Sequence, residues 1–229
     1  MEPIQKTPVA GPTFTPPANE FSLERTPLWE AILGMLVVGV LYAFLPQKLL
    51  IGPGWLLLVI EAVFLLPLIA ITLTKNGLLH KAIRPLTFTL LGVLTLALAS
   101  GITLLIITLP SDKLATTLLR AAALLWCSNV LVFGLWYWQL DGGGPVKRHF
   151  SGHQAADFMF PQQAPNNATG WAPRFMDYLF LSFTGATALS PADTFPLTRP
   201  AKALMMIEAL LSMTIIVLLA GRAVNIVGG

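Results

Sequence analysis

Two carboxylates stand alone in apolar sequence: Glu61 inside the run Trp55–Thr74 and Glu208 inside Ala203–Val227. An ionised side chain at the centre of a hydrocarbon-embedded helix costs roughly 2.5–3.5 kcal/mol, so such residues are kept for pairing, for proton handling or for lining an ion path. With its helix starting near Ala201, Glu208 lies about 10 Å deep at ~1.5 Å per residue. From there it can accept hydrogen bonds from a neighbouring short helix or pair with Arg120 or Lys202. A bracing carboxylate is the plainer reading of Glu208, because buried charges are usually paired; for Glu61, bracing and an ion-pathway role stand level.

Other chemistry is thinner. His149, His153 and Asp157 recur at four-residue spacing, which on one helix would align three metal ligands, but the glycines and proline just before them argue against a long helix there. The solvated-loop reading is the plainer one, and no metal or cofactor is expected. Gly142-Gly-Gly144 follows an apolar helix rather than a strand and so fails the structural test for a phosphate-cradling loop. No nucleophile stands with a base in an order that would make an enzyme. Asn167-Ala-Thr169 matches a glycosylation acceptor by three residues only. Cys127, the single cysteine, excludes an intrachain disulfide. Ser128 and Asn129 read as interhelical hydrogen-bonding groups, and Gly34, Gly39, Gly92 and Gly134 as sites of close helix packing.

The elements that must position these residues are apolar helices. Of 229 residues, 55% are hydrophobic and 11% charged, where a soluble domain carries about 25% charged residues. The mean hydropathy is +0.73. This composition predicts an all-α, polytopic membrane protein embedded in a bilayer. The net charge of +3 is too small and too scattered for a nucleic-acid partner. Residues 1–27, with prolines at 3, 8, 12, 16, 17 and 27, are expected to form a disordered tail. Three spans fill 28–110: Leu28–Leu45, bounded by Trp29 and Tyr42; Trp55–Thr74; and Leu86–Leu109, which follows a basic loop of Lys75, His80, Lys81 and Arg84 and lies between Pro85 and Pro110.

The second part, 111–229, opens with a helix over 114–140 that stops at Asp141-Gly-Gly-Gly-Pro145. A polar loop without helical period follows over 141–174. Phe175–Leu189 is apolar but short, where a span needs around 20 residues, so it is expected to be re-entrant. After the segment 190–198, a last helix covers 201–227. The count is five transmembrane helices plus one re-entrant helix, or six spans if the short one crosses.

Thr184-Gly-Ala-Thr-Ala-Leu-Ser-Pro-Ala-Asp-Thr-Phe-Pro-Leu197 and the helix after it resemble the pore module of two-helix bacterial potassium channels. In that family a short pore helix leads into Thr-Thr-Val-Gly-Tyr-Gly-Asp, then Pro, then the inner helix. Asp177 stands where the pore helix begins, Ser182 lies inside it, Thr187 falls on the first filter threonine and Asp193 on the closing aspartate. Pro196, Thr198 and Lys202 follow in place, and Ile207-Glu-Ala-Leu210 and Leu218-Leu-Ala-Gly-Arg222 are similar to the inner helix. The resemblance covers Asp177 to Val227, near a quarter of the chain.

The resemblance fails at the filter. Between Thr187 and Asp193 stand Ala188, Leu189, Ser190, Pro191 and Ala192, with no glycine. A potassium filter turns rings of carbonyls to the axis with backbone angles that its glycines permit, and Pro191 restrains both itself and Ser190. Potassium selectivity is therefore not carried over. The resemblance implies a homo-oligomer, a tetramer, passing monovalent cations weakly, with rings of Thr187 or Asp193 at the constriction. The plainer reading of Ser190–Asp193 is a turn between helices. Two other readings stay open: a non-conducting membrane scaffold whose axis is filled by Leu189 and Phe195, and a small proton-coupled transporter using Glu61 and Glu208.

The expected location is the cell membrane, the inner one in a host with two. The basic stretches Lys75–Arg84 and Lys147–Arg174 place the N-terminus in the cytoplasm by the positive-inside rule. A conventional pore module enters from outside and would reverse this. Either the short helix dips from the cytoplasmic side or it crosses.

Overall fold

The computed structural model of the protein describes residues 28–73, 77–108, 115–164, 167, 170–187 and 193–227. The tail at 1–27 and the filter-like residues Ala188, Leu189, Ser190, Pro191 and Ala192 lie outside them. The described chain is mostly helical, with α1 Leu28–Ala43, α2 Leu56–Leu73, α3 Gly77–Thr108, α4 Ala115–Leu140, α5 Pro145–Phe150, α6 Phe175–Ala186 and α7 Arg199–Val227. Two dipeptides, β1 Phe158–Met159 and β2 Phe195–Pro196, pair antiparallel. Three helices are long and apolar enough to cross a membrane, at 82–108, 116–143 and 199–221, while the apolar stretches 29–43 and 56–71 are shorter.

Helix α4 is the hub, packed against α1, α3, α6 and α7. Its inward side carries Ala121, Ala122, Leu125, Val132, Phe133 and Leu135, all buried, in a stripe wide enough to meet neighbours on several sides. Small residues set the closest approaches. A Cβ on Gly134 would lie 3.2 Å from the Cα of Leu179 in α6, and one on Gly34 would lie 3.1 Å from the Phe175 ring. Gly92 departs from the expectation, since a Cβ there meets nothing within 4 Å.

Several expected boundaries shift. α3 begins at Gly77, so Arg84 sits on a helix rather than in a loop, and Pro85 lies inside the helix instead of ending it. The Thr87 and Thr89 hydroxyls bond to the Ile83 and Pro85 carbonyls at 2.8 and 2.9 Å, local hydrogen bonding of the kind that lets a long apolar helix accommodate proline. Tyr42, expected at an interface, is buried, with its hydroxyl accepting from the Ile51 amide at 3.3 Å. The 141–174 segment is not featureless: a 3-10 turn at Asp141–Gly143, α5 and β1 build a cap. Positive φ at Gly142, Gly143 and Gly144, of 61°, 80° and 101°, reverses the chain at the end of α4. The short helix stops at Ala186, before the expected Leu189, and α7 opens at Arg199, ahead of the expected 201.

Candidate functional site

The direction of α6 decides the geometry of the C-terminal half. Along its length, Phe175 stacks edge-on against Trp138 with ring centroids 6.4 Å apart, Leu179 lies against Gly134, the Ser182 hydroxyl reaches the Val130 carbonyl at 2.7 Å, and Trp126 Nε1 donates to the Ala186 carbonyl at 3.5 Å. Partner numbers fall on α4 as they rise on α6, so the two helices are antiparallel. Against α7 they rise together, because Ser182 meets Glu208 and Ala186 meets Ser212. Helices α6 and α7 thus start at the same end of the molecule and run the same way. Twelve residues of α6 descend about 18 Å at 1.5 Å per residue, and α7 begins again at the end where α6 began.

Two polar clusters hold this hairpin. In the deeper one, Glu208 is 1% exposed; Tyr137 donates to its Oε2, and Ser182 Oγ lies in hydrogen-bond contact with its Oε1. Asn129 Nδ2 reaches the Glu208 carbonyl at 3.4 Å, and the Ser212 hydroxyl donates to the Ala186 carbonyl at 2.5 Å. One carboxylate thereby ties α4, α6 and α7. Ser182 has a single proton but two close oxygens, Val130 O and Glu208 Oε1, and two oxygens 2.7 Å apart with no proton between them repel. A proton on Glu208, donated to Ser182 while Ser182 donates to Val130, satisfies all the partners. The expected pairing with Arg120 or Lys202 is not made, since both are exposed on the surface.

The second cluster closes the mouth of the hairpin. Asp141, fully buried, accepts from the Tyr178 hydroxyl at 2.5 Å and from the amides of Asp157 and Phe158 at 2.9 and 3.2 Å. Arg148 donates to the Trp138 and Asp141 carbonyls at 3.1 and 2.8 Å, approaches the Asp141 carboxylate at 3.8 Å and lies over the Tyr178 ring. Asp157 accepts from the Gly142 amide at 3.0 Å and the Thr198 hydroxyl at 2.6 Å. Asp177 caps the start of α6 by accepting from the Arg174 amide at 2.7 Å.

Of the sequence-predicted site residues, Thr187 closes α6 with its hydroxyl bonded to the Phe183 and Thr184 carbonyls at 2.9 and 3.1 Å. Asp193 is exposed, with φ of 43°. Glu61 is fully buried against the Gly39 backbone, and neither carboxylate oxygen has a hydrogen-bond partner of good geometry among the described residues. It belongs to the α1–α2 contact, so the structure does not bring Glu61 and Glu208 into one site. Ser128 bonds back to Leu124 in its own helix at 2.8 Å rather than across helices, whereas Asn129 does cross.

His149 and His153 do not share a helix, since α5 ends at Phe150 and His153 takes φ of 54°. Their rings lie 5.4 Å apart, and among the described residues no group of three side chains could hold a metal. Burial first, then the neighbouring His149 and Arg148, lower the His153 imidazole below its ordinary 6.5. Asn167 is buried, with Nδ2 donating to the Trp171 and His153 carbonyls at 2.9 and 3.2 Å, so it is not presented as a glycosylation acceptor. Sequence reasoning missed Tyr137, Tyr178 and Arg148. No protein-family model, curated protein or solved structure matches the chain.

Proposed function

We propose that the chain is a multi-pass membrane protein in which α4 is the outer helix, α6 the re-entrant pore helix and α7 the inner helix of a homo-oligomeric, pore-loop module. It gives small monovalent cations a weakly selective path without potassium selectivity. The observation that carries this reading is that α6 and α7 start at one end and run in one direction. A 12-residue apolar helix that enters and must return on its own side is the pore-loop arrangement, and irregular backbone at membrane depth is tolerated where it lines a cavity or is buried in protein. On this reading Asp193, exposed just after the returning segment, is the side chain offered to a cation. Glu208 braces the hairpin and does not face the path.

One observation favours a second reading, a non-conducting scaffold of the same shape. The last carbonyls of α6, whose negative end would otherwise attract a cation, are engaged by Thr187, Trp126 and Ser212. Cation flux into liposomes holding the purified protein separates the two. Flux above empty liposomes that Asp193→Asn reduces supports the pore. Absence of potassium, sodium and proton flux from folded, oligomeric protein supports the scaffold, and crosslinking that yields only monomer refutes both oligomeric forms.

A further inference from the structure

An apolar cleft of about 190 Å³ opens between α1, α2, α3 and the turn after α4, with walls that include Ala31, Met35, Leu65 and Trp138. Apolar cavities of roughly 150 Å³ take a benzene-sized guest, so a cleft of this volume has room for a segment of hydrocarbon chain. Its lining changes toward the mouth. Gln139, 6% exposed, lines it with a carboxamide that has no hydrogen-bond partner among the described residues. Arg84 also lines the cleft and is shared with a second groove of about 610 Å³ that Lys147 lines too. Neither cation forms an ion pair among the described residues: the Arg84 guanidinium lies over the Phe88 ring, and the Lys147 stem crosses Gly143. The groove also holds Arg148, matched by Asp141, and Asp157, already accepting from Gly142 and Thr198.

We propose that this cleft binds one anionic phospholipid per chain, an acyl segment filling the apolar part and the phosphate lying between Arg84 and Lys147. An apolar lining, a Gln139 carboxamide with no hydrogen-bond partner among the described residues and two cations with no ion pair among them match the chain and headgroup chemistry of such a lipid. The site lies where the long apolar stretches of α3 and α4 end, at 82 and 143, which is headgroup level. The proposal rests on the chain being embedded in a bilayer and is independent of conduction.

The test is native mass spectrometry of protein purified from membranes and offered phosphatidylglycerol and phosphatidylcholine in equal amounts. Wild type is expected to retain one phosphatidylglycerol with a preference of roughly tenfold to thirtyfold, the size that two basic side chains supply at an anionic lipid surface. The surface variant Arg84→Gln/Lys147→Gln, which leaves the core untouched, is expected to bring the ratio near one. Ala31→Phe is expected to lower retention of both lipids by filling the cleft. Equal retention of the two lipids by wild type, or a preference unchanged in the double variant, overturns the proposal. Release of the protein from membranes by alkaline carbonate refutes the embedding itself, a different failure.

Discussion

Replacing Glu208 by Gln and by Leu, with Tyr137→Phe alongside, tests whether the deep cluster is a neutral hydrogen-bonded brace. Glu208 meets two hydroxyls and no cation. If it carries a proton, Gln reproduces the pattern: its NH2 donates to Ser182, which donates to Val130, and its oxygen accepts from Tyr137. Glu208→Gln should then cost less than about 1 kcal/mol, the scale of one net hydrogen bond. Glu208→Leu leaves the buried Tyr137 hydroxyl without an acceptor and Ser182 with only Val130, at about 1–3 kcal/mol for the stranded group. Tyr137→Phe strands Oε2 instead and should cost a similar amount. At about 2–4 °C per kcal/mol for a chain of this size, the expected order in thermal unfolding of detergent-solubilised protein is wild type close to Glu208→Gln, with Glu208→Leu and Tyr137→Phe lower by several degrees. A Glu208→Gln variant as unstable as Glu208→Leu would refute the reasoning, because it would mean that a charge rather than a proton-complete network holds α6.

Gly134→Leu should destabilise by about 1–3 kcal/mol through overpacking against the Leu179 backbone, and Gly134→Ala by much less, since a 3.2 Å contact needs only a small shift; thermal unfolding of the pair checks both. His153 has its imidazole held below 6.5 by burial, His149 and Arg148. The unfolded chain therefore takes up a proton first as pH falls through about 6.5, and the cap loses stability below that pH. His153→Gln should flatten the dependence between pH 7 and 5 in unfolding scans. In a Cys127→Ala background, cysteine at Val146 should react with impermeant maleimide only in inside-out vesicles, and cysteine at Lys48 only in right-side-out ones.

The helices were legible in the sequence because bilayer length and apolar composition are local properties. Pro46, Gly52-Pro53-Gly54 and Asp141–Pro145 mark breaks that the structure keeps. Pro85 misled, because the rule that proline ends a helix weakens where neighbouring hydroxyls and packing restore the lost bonds. The short length of Phe175–Leu189 set that segment apart, and the helix observed there is shorter still, Phe175–Ala186; Glu208 was visible as a misfit, while Ser182 was visible only as a residue inside the short helix. Their partner Tyr137 was not, since between Trp136 and Trp138 it reads as part of an interfacial aromatic belt. Only the rotation of α4 turns its hydroxyl inward, toward a residue 71 positions later. The Asp141–Arg148–Tyr178 cluster was hidden for the same reason: Asp141 and the glycines were seen as a stop signal, and a long-range carboxylate has no local signature.

The geometry also bears on which way the hairpin enters. Arg84, Lys147, Arg148, Arg174, Arg199 and Lys202 all lie at the end where α6 and α7 begin, and the opposite end holds Lys48, Arg120 and Arg222 among the described residues. If the chain is embedded as proposed, the positive-inside rule turns the crowded end to the cytoplasm, and the start of α1, whose Ala31 lines the same cleft as Arg84, goes with it. On that reading the hairpin would dip from the cytoplasm, the reverse of the pore modules that the sequence resembles. Among the described residues it is side chains that fix α6 to its neighbours, as Glu208, Tyr137 and Ser182 do. If the proposed oligomer forms and conducts, Asp193 stands at the cytoplasmic entrance, and conduction should respond to cytoplasmic rather than external salt.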